Sequence, residues 1–333
     1  MEHRESNLTH RQRSNEASLA WLLVCTVGAA LLAVMLVTQG ALAQDSQDPS
    51  DGWFQKCGSL DDPQTPDVNE GAGQFDPIVF YNKPPPIGSQ KLFFGATNIS
   101  PDSTRNSLLA GGTTCRFKNG TDPGHPDPPS GGNRSAYWAF DLQLSNGKWA
   151  GGKQLNAYYR KGASSVDAND IVPFPDGLKM IISDRESSKT NVDWYCSNLN
   201  GEGNNGNMQA RPYNCNATGT YPWVTAHITF PQCGAFDASG ATGATDSMDH
   251  ISHVVYPSSD GCPADHPIVY PRLFVTVKYA TSLGKGALLA GGRDPGTSFT
   301  AYFFEAWQKD RLQFYIDNCI KAGINCNSTP PAG

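Results

Sequence analysis

Glycine and proline set the first limit on this chain. Among its 333 residues are 34 Gly and 24 Pro, 58 together, scattered along the sequence with no Gly-X-Y period. Long helices tolerate neither residue, because Gly gives up backbone entropy and Pro lacks the amide hydrogen. Helical bundles and coiled coils are therefore excluded, and the missing period excludes collagen. The composition fits short strands joined by many turns. Its 15 Phe, 12 Tyr and 7 Trp supply enough apolar area to oppose chain entropy, so the chain is expected to fold. The length exceeds that of one ordinary domain, yet β-rich folds often run past 200 residues as a single unit.

Cysteine usage predicts the compartment. Cys25 lies in an apolar run, and the other eight (Cys57, Cys115, Cys196, Cys215, Cys233, Cys262, Cys319 and Cys326) are an even number with no Cys-x-x-Cys pair. That pattern speaks against zinc ribbons and redox motifs and for four disulfides formed in an oxidising compartment. Eight cysteines allow on the order of 100 pairings, so connectivity stays open; sequence neighbours such as Cys196 with Cys215, or Cys319 with Cys326, are the simplest candidates.

The N-terminus supplies a route to that compartment. Residues 19–37 are uninterrupted apolar, preceded by Arg11 and Arg13 and followed by Asp45, Asp48 and Asp51. At 1.5 Å per residue such a helix is about 28 Å long, enough to span a bilayer core. Ala41-Leu42-Ala43 also forms a small-x-small cleavage site. Residues 1–43 therefore read either as a cleaved signal peptide or as a retained anchor, with membrane contact through 19–37 in the second case. Either way the rest of the chain is expected to be secreted or on the outer face of the membrane. Net charge is −6 and no basic patch with interleaved aromatics appears, so nucleic acid is not an expected partner. Five Asn-x-Ser/Thr sequons that follow the span, at Asn98, Asn119, Asn133, Asn216 and Asn327, fit an exported glycoprotein.

Residues 44–73 are polar and read as a spacer. Strand-like runs rich in β-branched and aromatic residues follow at 75–81, 135–144, 155–160, 178–184, 223–230, 251–256 and 273–280. One helix is predicted over 300–322, where Tyr302, Phe303, Ala306, Trp307, Ile316, Cys319 and Ile320 recur at near-helical spacing, with Ser298 as cap and Gly323 as stop. The expected fold is mainly β with one long C-terminal helix: a single disulfide-stapled, sandwich-like domain over 74–326, with 327–333 as a tail.

The densest polar cluster is Thr245 to Pro257, which holds Asp246, Asp249, His250 and His253. Carboxylate and imidazole groups this close can hold a divalent metal, with His250 and His253 as the nitrogen ligands, or an Asp can orient a His as general base. Asp249, His250, His253 and Asp246 are thus the catalytic candidates. His-x-x-His shares a face on a helix but not on a strand, and the alternative is one buried His and one turn cap. His227 alternates with apolar neighbours and reads as a core residue, whereas His266 can be drawn toward the same cluster. Asp76 and Glu305 join Asp246 and Asp249 as carboxylates available for glycoside hydrolysis. Tyr137, Trp138, Trp149, Tyr158, Tyr159, Trp194 and Trp223 lie near turns, where aromatic faces can stack on sugars or pack a core. Asp76, Lys91, Tyr137 and Trp138 are the candidate binding residues. No Gly-x-Ser-x-Gly elbow, Walker loop or dinucleotide fingerprint is present.

Ten segments, in order, together resemble an uncharacterised secreted family, domain of unknown function nineteen-ninety-six. They begin at Phe75-Asp-Pro-Ile-Val79, Leu92-Phe-Phe-Gly95, Gly112-Thr-Thr-Cys115, Ser135-Ala-Tyr-Trp138 and Tyr158-Tyr-Arg160. They continue through Phe174-Pro-Asp-Gly-Leu178, Phe230-Pro-Gln-Cys233, Asp249 to Pro257, Cys262-Pro263 with His266-Pro267, and Phe303-Phe-Glu-Ala-Trp307. The resemblance implies an exported scaffold and gives no reaction. It also implies losses, since family histidines fall at Ser89, Lys91 and near Ser298 here, and a family Trp at Gly234.

These features lead to three expectations. The first is an exported or surface-anchored domain that binds extracellular or cell-wall glycan. The second is a hydrolase-like or metal-assisted enzyme acting on extracellular polysaccharide through Asp249, His250 and His253. The third is a secreted metal-binding protein.

Overall fold

The computed structural model describes residues 51–60, 78, 90–117, 131–183, 192–198 and 204–327. The apolar run 19–37, the cleavage site after Ala43, Asp76, Ser89, Asn119, His125 and the tail 328–333 lie outside them, as does nearly all of the strand expected over 75–81. Among the described residues no helix is long and apolar enough to cross a membrane.

The fold is mainly β, in three antiparallel sheets. The largest joins β1 (Trp53–Gly58), β3 (Cys115–Phe117), β5 (Gly152–Arg160), β7 (Val192–Ser197), β8 (Trp223–Thr229) and β12 (Arg272–Tyr279) in the order β3-β1-β5-β12-β8-β7. A four-stranded sheet runs β2 (Lys91–Gly95), β4 (Ala136–Phe140), β13 (Thr300–Phe304) and β6 (Lys179–Ser183). A small sheet carries β9 (Cys233–Gly234) between β10 (Val254–Val255) and β11 (Ile268–Val269).

Period-two alternation explains how the two large sheets share a core. Trp53, Leu155, Ala157, Tyr159, Leu273, Val275 and Val277 of the six-stranded sheet join Phe94, Tyr137, Met180, Ile182 and Phe303 of the four-stranded one in a single buried cluster. The neighbouring residues on β2, β4, β13 and β6 (Phe93, Trp138, Tyr302, Ile181) belong to a second cluster on the opposite face. There Trp138 stacks between Phe93 and Tyr302, with ring centroids 5.7 and 5.1 Å away. Each such aromatic withdraws roughly 150–250 Å² from water, so these rings stabilise the outer face of the four-stranded sheet.

Two expectations are corrected. The stretch 300–322 is not one long helix. Thr300–Phe304 is the fully buried strand β13 between β4 and β6, and a helix begins only at Lys309, running to Tyr315 and continuing as a π turn from Ile316 to Ile320. A strand buried on both faces reads as a continuous apolar run, which periodicity alone does not separate from a buried helix. Gly323, at φ +64, does end the helical segment. The spacer expected over 44–73 also contains structure, since Trp53–Gly58 is a strand between β3 and β5 with Trp53 fully buried. Gly52 makes that entry: at φ +73, a Cβ there would stand 2.0 Å from the Tyr159 carbonyl oxygen.

Four disulfides tie the fold: Cys57–Cys115 across β1 and β3, Cys196–Cys215, Cys233–Cys262 and Cys319–Cys326. The two neighbour pairings considered from sequence are both formed. The last bridge closes 7 residues at the helical end, where Cys326 N donates to Gly52 O at 2.9 Å and so binds the C-terminal segment to β1.

Candidate functional site

The polar cluster of residues 245–253 folds as a loop clamped onto one residue at the start of β6. Lys179 N donates to Thr245 O (2.9 Å), Lys179 O accepts from His253 Nε2 (2.6 Å), and Lys179 Nζ lies 3.3 Å from Asp246 Oδ2. Both ends of the loop are therefore held by one residue's backbone. Within it, His250 N donates to Ser247 O at 3.0 Å and His250 adopts φ +60, the left-handed region that few non-glycine residues enter. That conformation brings His250 Nδ1 within 2.8 Å of Asp246 Oδ1. Asp246 thus sits between a lysine ammonium and an imidazole, each half-buried.

The other two candidates hold the loop in shape. Asp249 Oδ1 accepts from Ser247 Oγ (2.6 Å), Ser252 N (2.9 Å), Ser252 Oγ (2.9 Å) and Ile251 N (3.0 Å). Those donors, the Ser247 hydroxyl foremost, hold its carboxyl well below the usual carboxylate range. Asp249 is thereby the organiser of the turn.

His253 is buried, and because a carbonyl oxygen only accepts, its Nε2 carries the hydrogen given to Lys179 O. Its Nδ1 faces Ser247 Oγ at 3.0 Å. Burial pushes the imidazole below its ordinary value, against the carbonyl of Lys179 and the charges of Asp246 and Asp249, with His250 adding to the lowering.

The two histidines therefore do not share a site. Among the described residues no group of three His, Cys, Asp or Glu side chains is placed to hold a metal ion. His266 joins the loop only as a brace, its Nε2 donating to Ser252 O at 2.8 Å. His227 is half-buried on β8, with its ring 5.1 Å from that of Phe274.

Of the expected binding residues, the described ones, Lys91, Tyr137 and Trp138, do not gather around this loop. Tyr137 faces the shared core, where Asn133 Nδ2 donates to its hydroxyl at 2.9 Å, and Trp138 is buried on the opposite face of the same strand. Neither ring offers a face to solvent, because β4 is covered on both sides. Lys91 is also buried, with its ammonium 6.0 Å from the ring centres of Phe140 and Tyr302. In register it occupies the corner of the four-stranded sheet diagonal to Lys179, three strands and four residues away. That is roughly 20 Å at ordinary strand spacing. Glu305 is sealed inside, accepting from Gly177 N (2.7 Å), Trp307 N (2.6 Å) and Arg105 Nε (3.1 Å), and burial raises its pKa. Arg105 opens helix α1 (Arg105–Ala110), so this carboxylate pins a helix and meets no solvent. Gly234 has no room for a larger residue, since a Cβ there would stand 2.4 Å from the Tyr270 ring.

Sequence reasoning missed what surrounds the loop. Of the eight large hydrophobic side chains exposed among the described residues, four come from the 21 residues 236–256: Phe236 (51% exposed), Met248 (103%), Ile251 (41%) and Tyr256. Ala235 N donates to His253 O at 3.0 Å, which brings the Phe236 end of the small sheet alongside Ser252 and Ile251. Composition signals none of this, because exposure of single apolar residues depends on which turn presents them.

The class is a disulfide-stapled β protein whose four bridges fit an oxidising compartment. Residues 76–307, more than half of the chain, match the family model described as Domain of unknown function (DUF1996), and the protein belongs to that family. No curated protein and no solved structure matches it.

Proposed function

We propose that this is an exported protein that binds extracellular glycan through the loop surface of residues 236–256. The observation that carries the reading is that exposed Phe236, Met248, Ile251 and Tyr256 all come from the short segment that also holds the half-buried Asp246–His250 pair. Sugars present C–H faces beside hydroxyls, so a site for them combines apolar or aromatic contacts with a few fixed donors and acceptors. Exposed apolar groups gathered on one surface lose hydration cost on contact, which is why such patches mark binding sites. Asp249 and His253 serve this reading as the frame that holds the surface.

The test is retention of the exported chain on insoluble β-glucan, chitin and mannan particles, compared with Phe236→Ala, Ile251→Ala and Trp149→Ala. At least a five-fold loss in the first two variants, with unchanged melting temperature, is the expected result. Loss in Trp149→Ala alone would move the site to Trp149, and no retention by the wild type would end the reading.

A second reading rests on one distance. His250 Nδ1 held 2.8 Å from a carboxylate is the arrangement that orients an imidazole as a proton carrier, a role that a hydrolytic step on a polysaccharide could use. Release of new reducing ends by the wild type but not by His250→Ala would support it.

A further inference from the structure

The sequons differ sharply in what their amide nitrogens do. Asn133 is fully buried, and its Nδ2 donates to Gln55 Oε1 (2.6 Å) and Tyr137 OH (2.9 Å) inside the core. Asn327 mimics a strand partner: its Oδ1 accepts from Phe54 N (2.7 Å) and its Nδ2 donates to Phe54 O (2.9 Å). Asn98 is exposed, but its Nδ2 donates to Ser107 O at 2.6 Å. Asn216 alone of these four is exposed with its Nδ2 hydrogen-bonded to no group among the described residues.

Asn216 is also presented by a turn built for it. Gly219 N donates to Asn216 O at 3.0 Å, and the Asn216 Oδ1 accepts from both Thr218 N and Thr218 Oγ1 at 3.2 Å. The sequon threonine is therefore already hydrogen-bonded to the amide it accompanies, while the nitrogen points free. A Cβ at residue 219 would approach the Asn216 side chain to 3.1 Å, so Gly219 keeps the space beside that nitrogen open. Cys215, the preceding residue, is bridged to Cys196 on β7, which fixes the turn to the sheet.

We propose that Asn216 is an N-glycosylation site, and that Asn133 and Asn327 stay unmodified in the folded protein. The inference rests on the export reading above. The donor class is an oligosaccharide linked to a polyprenyl pyrophosphate. A bond forms between Asn216 Nδ2 and the sugar anomeric carbon, the bond from that carbon to the pyrophosphate oxygen breaks, the lipid pyrophosphate leaves with the electron pair, and the amide nitrogen loses one proton. A glycan on Asn133 would need the core to open, and one on Asn327 would disrupt its two bonds to Phe54.

The experiment is expression of the full chain in a eukaryotic secretory host, followed by peptide mapping of the exported protein after enzymatic deglycosylation in heavy-oxygen water. The tag is expected at Asn216 and absent at Asn133 and Asn327. Asn216→Gln and Thr218→Ala should each remove one glycosidase-sensitive mobility step, and Thr218→Ser should keep it. A bare Asn216 in exported protein, or a tagged Asn133, overturns the assignment while leaving export standing. Retention of the chain in the cytosol overturns both.

Discussion

Two polar assemblies in this molecule use similar side chains in opposite ways. Between the large sheets, Asn133 donates to Gln55 and Tyr137, its Oδ1 accepts from Ser135 N, Tyr137 and Tyr159 share a hydroxyl contact, and Trp307 Nε1 donates to Tyr159 at 3.2 Å. Every member faces another member, and water is excluded. In the loop on Lys179, only His253 is buried in the same manner; Asp249 is exposed although its own turn fills one carboxylate oxygen, and Asp246 and His250 are half-buried in a segment that also carries exposed apolar residues. A closed network specifies one packing of the core, whereas a network closed only at its base leaves groups for a ligand. The comparison predicts that damage to the first lowers stability and damage to the outer part of the second lowers binding.

The largest effect is expected at Trp307. Its ring packs edge-on to Trp53 (6.0 Å) and Tyr159 (5.4 Å), and it carries the donor to Tyr159. Trp307→Ala should cost about 4 kcal/mol from the cavity and the lost donor to Tyr159, read as a lowered denaturation midpoint at constant slope. Asn133→Ala comes next, at about 3 kcal/mol, because it removes the donor to a buried Gln55 oxygen and the acceptor of the Ser135 amide together. Equal stability of wild type and Asn133→Ala would show that the network is not a closed unit.

Much of this architecture is legible in the residues, and the failures have causes. β5, β8 and β12 fall where alternation and β-branched residues put them, since each has one face on the core, and β6 falls where its short Met180-Ile181-Ile182 run puts it. β1 escapes because Phe54 and Lys56 point away from the core while Trp53, Gln55 and Cys57 point inward, so polar and apolar residues do not sort by face. β13 escapes because neither face is polar. In the loop, the grouping of Asp246, Asp249, His250 and His253 is readable, but their division of labour is not. That division follows from Lys179, which is 67 residues away from Asp246 in sequence. Tyr137 and Trp138 fail as surface residues for the reason β13 fails as a helix: an aromatic run between turns is most often a strand with both faces covered.

Acidification should separate the base of the loop from its rim. His253 has its pKa lowered below 6.5 in the folded protein by burial, so the unfolded chain takes up a proton first as pH falls. Its contribution is therefore complete above about pH 6.5 and is lost as pH drops through the folded value. His253→Gln should flatten that part of the stability profile relative to wild type, measured by denaturant titration from pH 7.5 to 5. An unchanged difference between the two proteins across this range would mean that His253 does not feel its burial.

The smallest effect tests the rim itself. His250 holds a left-handed backbone that favours glycine by about 1 kcal/mol over an ordinary residue, and its side chain returns part of that through the 2.8 Å contact with Asp246. His250→Ala keeps the strain and loses the contact, so about 1 kcal/mol should be lost. His250→Gly loses both the contact and the strain and should fall within about 0.5 kcal/mol of wild type. If the two variants are equally stable, the left-handed turn is not strained and His250 is an incidental occupant. If they separate in this order, a strained position has kept a histidine where glycine would be as stable, and the reason to keep it lies in what the imidazole meets outside the protein.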